Sequence, residues 1–127
     1  MQENHANDAR FWPLEVHLAQ DKRQLTLHYA DGVTRSLQAE YLRVESPSAE
    51  VRGHAPGQET LQTGKAGVTI ADLEPVGQYA IKLIFDDGHD TGLYSWDYLY
   101  ELAKHYESMW MDYIARLEAA GYQRQMQ

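Results

Sequence analysis

Residues 85–96 read FDDGHDTGLYSW, and four of them carry groups that can bind a metal or move a proton. Asp86, Asp87 and Asp90 are carboxylates and His89 is an imidazole; both types ligate divalent metals and act as general acids or bases. The aspartates also have a plainer role. Asp87-Gly88 between two β-forming runs suits a tight turn, because glycine accepts a positive φ and Asp bonds its own backbone. A turn makes no demand for an imidazole, so His89 is the residue that points to chemistry. His54, in RGHAPG (52–57), lies in a long polar segment able to bring it to another site. The metal-ligand set this implies is His89, His54 and Asp87.

The remaining candidates fall away by spacing. His17 and His28 alternate out of phase with the apolar positions around them, which places them on a solvent-facing side. His5 lies near the N-terminus, and His105 falls on the outer side of a helical stretch. No HExxH occurs, and local spacing assembles no two-histidine, one-carboxylate set. There is no G-x-S-x-G, and Ser46, Ser48 and Ser95 suit turns or helix caps. GQETLQTGKAG (57–67) follows Gly64-Lys65 with Ala66 where a phosphate-binding loop needs Ser or Thr. No nucleophile–base pair can be named, so the chain is expected not to be an enzyme.

Composition narrows the class further. The chain has 127 residues, 43% of them hydrophobic, which suits one domain with a real core. Mean hydropathy is −0.60, and no apolar run approaches the length of a membrane span. The first residues lack the basic-then-apolar order of a signal peptide, so a cytoplasmic location is expected. The absence of cysteine removes disulfides, thiolate zinc sites and cysteine nucleophiles. With 19 acidic against 11 basic residues and a net charge of −8, the surface repels phosphate backbones, and no nucleic-acid or membrane partner is expected.

The elements that would position these groups follow from periodicity. LEVHLA (14–19), QLTLHYA (24–30) and VTRSL (33–37) alternate apolar and polar residues and predict an antiparallel meander, with Asp31-Gly32 as a two-residue hairpin turn. AEYLRVES (39–46) is ambiguous between helix and strand, and 46–67 reads as a long loop. VTIADLEPVG (68–77) and QYAIKLIF (78–85) are strands, the second the more apolar and expected to be central. Ser95 is expected to cap a helix over 96–120, with Leu99, Leu102, Tyr106, Trp110, Tyr113 and Leu117 at steps of three and four, stopping at Gly121. The expectation is therefore an α+β domain at 12–121, with an antiparallel sheet of about five to six strands against one long C-terminal helix, and tails at 1–11 and 122–127.

Two stretches together carry a resemblance: LRVESPSAEVRGH (42–54) and DDGHDTGLYSWDYL (86–99). They resemble a small bacterial domain family of unknown function that is similar to the N-terminal domain of γ-butyrobetaine hydroxylase. The same domain resembles a C-terminal module of some Mrp-type iron–sulfur carrier ATPases. The likeness spans roughly residues 12–105. In the hydroxylase this domain holds a structural zinc through L-R-D-N-C-P-C-S-D-C and a later histidine. Leu42, Arg43, Pro47 and His89 match that pattern, whereas Ser46, Ser48 and Val51 stand at the cysteine places. A closed zinc site needs about four good ligands, so the resemblance implies that the zinc is lost and that His89 instead hydrogen-bonds the 46–54 loop. The hydroxylase's catalysis resides in a separate domain that this sequence does not contain.

The expected function is thus a non-catalytic binding or accessory module that contacts a partner protein or small ligand through the 46–67 loop. The residues expected to make that contact are Arg43, Ser46, Ser48, Arg52, His54, Tyr94 and Trp96. The alternative is a metal-handling protein for iron or zinc, tied to iron–sulfur assembly and using His89, His54 and Asp87.

Overall fold

The computed structural model describes residues 12–53 and 59–124. The tail expected over 1–11 and the candidate His54 lie outside the described residues. The architecture is α+β, built on two antiparallel sheets of three strands rather than one of five to six. The first sheet is β1 (Glu15–Leu18), β2 (Gln24–His28) and β3 (Thr34–Gln38), a meander in the order β1-β2-β3. The second is β4 (Ile70–Val76), β5 (Ala80–Phe85) and β6 (Leu93–Ser95), with the apolar β5 central as expected. Pro75 sits on the edge strand β4, where its missing N–H costs no ladder bond. The strand β6 is a short addition that its three residues do not announce.

The turns lie where glycine places them. Gly32 adopts φ 85° and its N–H donates to the Tyr29 carbonyl at 3.0 Å, closing the β2–β3 hairpin. The loop holds Ala30, Asp31 and Gly32, so it is one residue longer than the two-residue turn expected from Asp31-Gly32. Gly88 adopts φ 90° in the turn that leaves β5, where the Phe85 N–H donates to His89 O at 3.0 Å.

Among the described residues the helices are α1 (Ala39–Val44), α2 (Ala49–Arg52) and, in place of the single long helix expected, α3 (Trp96–Lys104) and α4 (Tyr106–Ala119). The Ser95 hydroxyl caps α3 by accepting from Tyr98 N at 3.0 Å, as its position predicts. The helix expected over 96–120 breaks at His105, whose φ −106° and ψ 20° leave helical geometry. No proline or glycine causes this. The Ser108 hydroxyl donates to the His105 carbonyl at 3.2 Å, and such back-bonding bends helices. The bend separates two apolar faces. Leu99 and Leu102 of α3 join the main core with Leu25, Leu27, Leu37, Ile70, Leu83 and Phe85. Tyr113 and Leu117 of α4 pack on Val44 in a smaller cluster.

Residues 46–67 are also more structured than the loop expected. Ser48 caps α2 through Glu50 N at 3.2 Å. Thr60 N donates to Val51 O at 2.8 Å, and the Tyr113 hydroxyl donates to Gln62 O at 2.8 Å. The expected tail at 122–127 is tied down as far as Arg124, which makes a two-pronged pair with the buried Glu40 at 2.6 and 2.9 Å.

Candidate functional site

The two signature stretches meet face to face. The segment running from α1 through α2 (Ala39–Arg52) packs against the turn and strand 86–94 that follow β5. Sequence requires this contact because α1 is buried on every side, including at Glu40 and Arg43. Buried charges must find partners, and the turn after β5 supplies one set. Arg43 Nε donates to Asp87 Oδ2 at 2.9 Å, and its Nη1 donates to Gln62 Oε1 at 2.9 Å. Lys65 Nζ reaches the same Asp87 oxygen at 2.9 Å. The other Asp87 oxygen accepts from His89 N at 3.1 Å, the bond that shapes the turn.

His89 lies one layer deeper. Its ring is 3% exposed, with Ser46 Oγ 2.8 Å from Nε2 and Glu50 Oε2 3.3 Å from Nδ1. The tautomer protonated at Nδ1 serves both contacts: Nδ1–H donates to the carboxylate and Nε2 accepts the Ser46 hydroxyl proton. Ser46 Oγ in turn accepts from Ser48 N at 3.3 Å. Glu50 is held by the Thr91 hydroxyl at 3.1 Å. This is the serine–histidine–carboxylate connectivity of a hydrolytic triad. Ser46, however, is fully buried, and Gly92 presses against it so closely that a Cβ there would lie 2.6 Å from Ser46 Oγ. The arrangement clips the α1–α2 segment to the second sheet.

Tyrosine hydroxyls complete the seam. Tyr94 donates to Leu42 O at 2.6 Å, Tyr41 to Leu102 O at 2.7 Å, and Tyr98 to Glu45 O. Burial pushes the Tyr94 and Tyr41 phenols up from their ordinary value, so both stay neutral donors. Burial alone would raise the Asp87 carboxyl as well. Hydrogen bonds from Lys65, from the His89 backbone and from Arg43, with the guanidinium charge, outweigh it and hold that group down to about 2. Burial lowers His89, reinforced by Arg43 and opposed by Glu50 and Asp87.

The His89 and Asp87 shifts have one sign. The folded chain resists a proton that the unfolded chain accepts below about pH 6.5. The stability contributed by neutral His89 is therefore full above that value and lost as pH falls through its lower folded value. Asp87 adds a second loss, full above its ordinary 3.8 and lost toward about 2. His89→Gln, which keeps a polar side chain without a titrating proton, is expected to flatten the fall in urea-measured stability between about pH 7 and about pH 5. Identical slopes for the two proteins would unlink His89 from acid sensitivity.

The residues expected to meet a partner divide sharply. Arg43, Ser46, Ser48 and Tyr94 are buried and bonded internally, so they correct the expectation that they face outward: a covered side chain offers no contact. Trp96 is partly buried, and its indole N–H donates to Gln78 O at 2.9 Å. Arg52 remains part-exposed, at 35% of its side chain, while its guanidinium bonds Ser46 O, Val44 O and Glu45 Oε1. It lies on a groove of about 550 Å³ between this segment and α4, lined also by Glu45, Glu59, Met109, Asp112 and Arg116. Sequence periodicity did not reveal the groove, because it forms where the helix bends at His105 and α4 comes alongside Glu45, Arg52 and Glu59.

The model for the family described as gamma-butyrobetaine hydroxylase-like, N-terminal, matches residues 16–100. No curated protein matches the chain. Several solved structures are similar. One, determined in solution by NMR, is 50% identical, covers 91% of each chain and has a TM-score of 0.78. A second NMR structure is 45% identical over 98% of this chain and 92% of that one, with a TM-score of 0.79. A third is the crystal structure of a protein of unknown function from Acidithiobacillus ferrooxidans, assigned to the DUF971 family. It is 39% identical, covers 76% of this chain and 98% of its own, and has a TM-score of 0.63.

Proposed function

The chain belongs to the gamma-butyrobetaine hydroxylase-like N-terminal family, and from that premise we propose that it is a non-catalytic binding module whose contact surface is the groove that Glu45, Arg52 and Glu59 form with α4. The observation that carries this reading is the groove itself. Arg52 and Arg116 alternate there with Glu45, Glu59 and Asp112, around the apolar stem of Met109. Arginine and methionine are enriched where proteins meet, and mixed charge fixes the register of a polar partner segment. A net charge of −8 argues against a nucleic-acid partner. Among the described residues, no helix is long and apolar enough to cross a membrane. We place the module in the cytoplasm as part of the same proposal.

The structural zinc of the hydroxylase domain does not fit the residues present. Positions 46 and 48 carry hydroxyls, position 51 carries a buried isopropyl group, and the imidazole at 89 has both nitrogens engaged. Hydroxyls are poor zinc ligands, and one imidazole does not close a tetrahedral shell. The metal-handling alternative fares no better at the two of its expected residues that are described: Asp87 is bound to Arg43 and Lys65, and His89 is covered. A catalytic role for Ser46 is disfavoured by its burial, since a nucleophile must touch its substrate.

The test is a charge reversal on the exposed rim. Arg116→Glu is expected to lower recovery of the partner co-purified from the native cell while leaving the melting temperature within a few degrees, because exposed ion pairs such as Arg116–Asp112 contribute about 0–1 kcal/mol. Equal recovery by variant and wild type would remove the groove from the interface.

A further inference from the structure

We propose that Glu15, His17 and His28 form a binding site for a late first-row divalent cation, of the Zn²⁺ or Ni²⁺ class, on the outer face of the first sheet. The strand pairing builds this set. Glu15 stands directly opposite His28 in the β1–β2 ladder, and His17 is two residues along from Glu15 on the same side. Side chains two apart on one strand share a face. The opposite face carries Val16, Leu18, Leu25 and Leu27 into the core, which locks the register, since a one-residue slip would turn these apolar groups outward. The three ligands are therefore held on a fixed frame.

One ligand atom from each of the three residues lies within 4.8 Å of the others. Glu15 Oε2 and His17 Nε2 are already 3.1 Å apart. Metal–nitrogen bonds of about 2.0–2.1 Å at tetrahedral angles put neighbouring ligand atoms roughly 3.3 Å apart. The Glu15–His17 pair stands at that spacing, and small rotations of part-exposed side chains bring in the third. The His28 ring is steadied by the Thr34 hydroxyl, 3.2 Å from Nδ1 on the neighbouring strand. Metal-ligating histidines are commonly oriented in this way by a hydrogen bond at the other ring nitrogen. The two imidazole rings meet edge to face with centroids 5.2 Å apart, so neither is folded away from the other.

The donor set selects the cation. Two imidazoles and one carboxylate favour Zn²⁺, Ni²⁺ or Cu²⁺ over Mg²⁺ or Ca²⁺, which prefer oxygen. Three protein ligands leave a fourth position open to water or to a ligand from another molecule. The site lies on the first sheet, away from the His89 clip and from the groove, and does not depend on the function proposed for either.

Titration of the tag-free, chelator-treated full chain with Zn²⁺ tests the site, by calorimetry and by NMR of the histidine side chains. The expected result is saturable 1:1 binding with shifts at His17 and His28 and none at His89. The double variant His17→Ala/His28→Ala is expected to keep its metal-free melting temperature and to bind at least about tenfold more weakly. Glu15→Gln, which removes only the carboxylate charge, is expected to weaken binding as well. Absence of saturable binding, unchanged affinity in the double variant, or shifts confined to His89 would each overturn the assignment.

Discussion

Arg43→Ala is expected to lower the unfolding free energy by about 2–3 kcal/mol, read from urea denaturation. The guanidinium is 9% exposed at its side chain and is the shared partner of Asp87 and Gln62. Its removal takes the donor from Gln62 Oε1 and one of two cations from Asp87, whose low pKa depends partly on that charge. Lys65 still reaches Asp87, which limits the loss. Arg43→Lys separates charge from geometry. Lysine restores a cation but cannot present the fork that spans two acceptors, so most of the destabilisation is expected to remain. A loss below about 1 kcal/mol in the alanine variant would mean that the pair is solvated like a surface ion pair.

Gly92→Ala is expected to cost about 1–3 kcal/mol, the range for overpacking a filled interior. The added methyl carbon would lie 2.6 Å from Ser46 Oγ, 3.1 Å from the Tyr94 ring and 3.3 Å from Pro47 Cδ. None of these has room to retreat: Ser46 and Tyr94 are fully buried, and both are hydrogen-bonded across the seam. The substitution therefore also pushes Ser46 away from His89, and the ring resonances of His89 are expected to move with the stability. A fall in stability with His89 resonances unchanged would place the clash on Tyr94 or Pro47 instead. The requirement here is space rather than backbone freedom.

Much of this fold is legible in the sequence. Alternation found five of the six strands, glycine marked the turns at Gly32 and Gly88, and Ser95 marked the start of α3. The resemblance carried by 42–54 and 86–99 pointed to the correct family. What escaped depended on tertiary pairing. Helix periodicity runs unbroken through His105, because the kink comes from a Ser108 hydroxyl bond and not from a breaker residue. Arg43, Ser46 and Ser48 look like surface groups in a polar stretch, yet their burial is set by what packs over them. Glu15, His17 and His28 have no telling spacing, since Glu15 and His28 become neighbours only through the β1–β2 register. The alternation that turned the two histidines outward was the available signal, and reading it together with the hairpin would have joined them.

The Glu40–Arg124 clamp bears on how the chain matures during translation. Its two residues are 84 positions apart. At about 5–20 residues per second, a ribosome needs roughly 4–17 s to deliver the second after the first. Through that interval α1 has no Arg124 guanidinium to meet its Glu40 carboxylate. Its Tyr41 hydroxyl waits on the Leu102 carbonyl, 61 positions downstream. Until residues 102 and 124 have been made, neither group can meet its native partner, so α1 reaches its final packing late in synthesis.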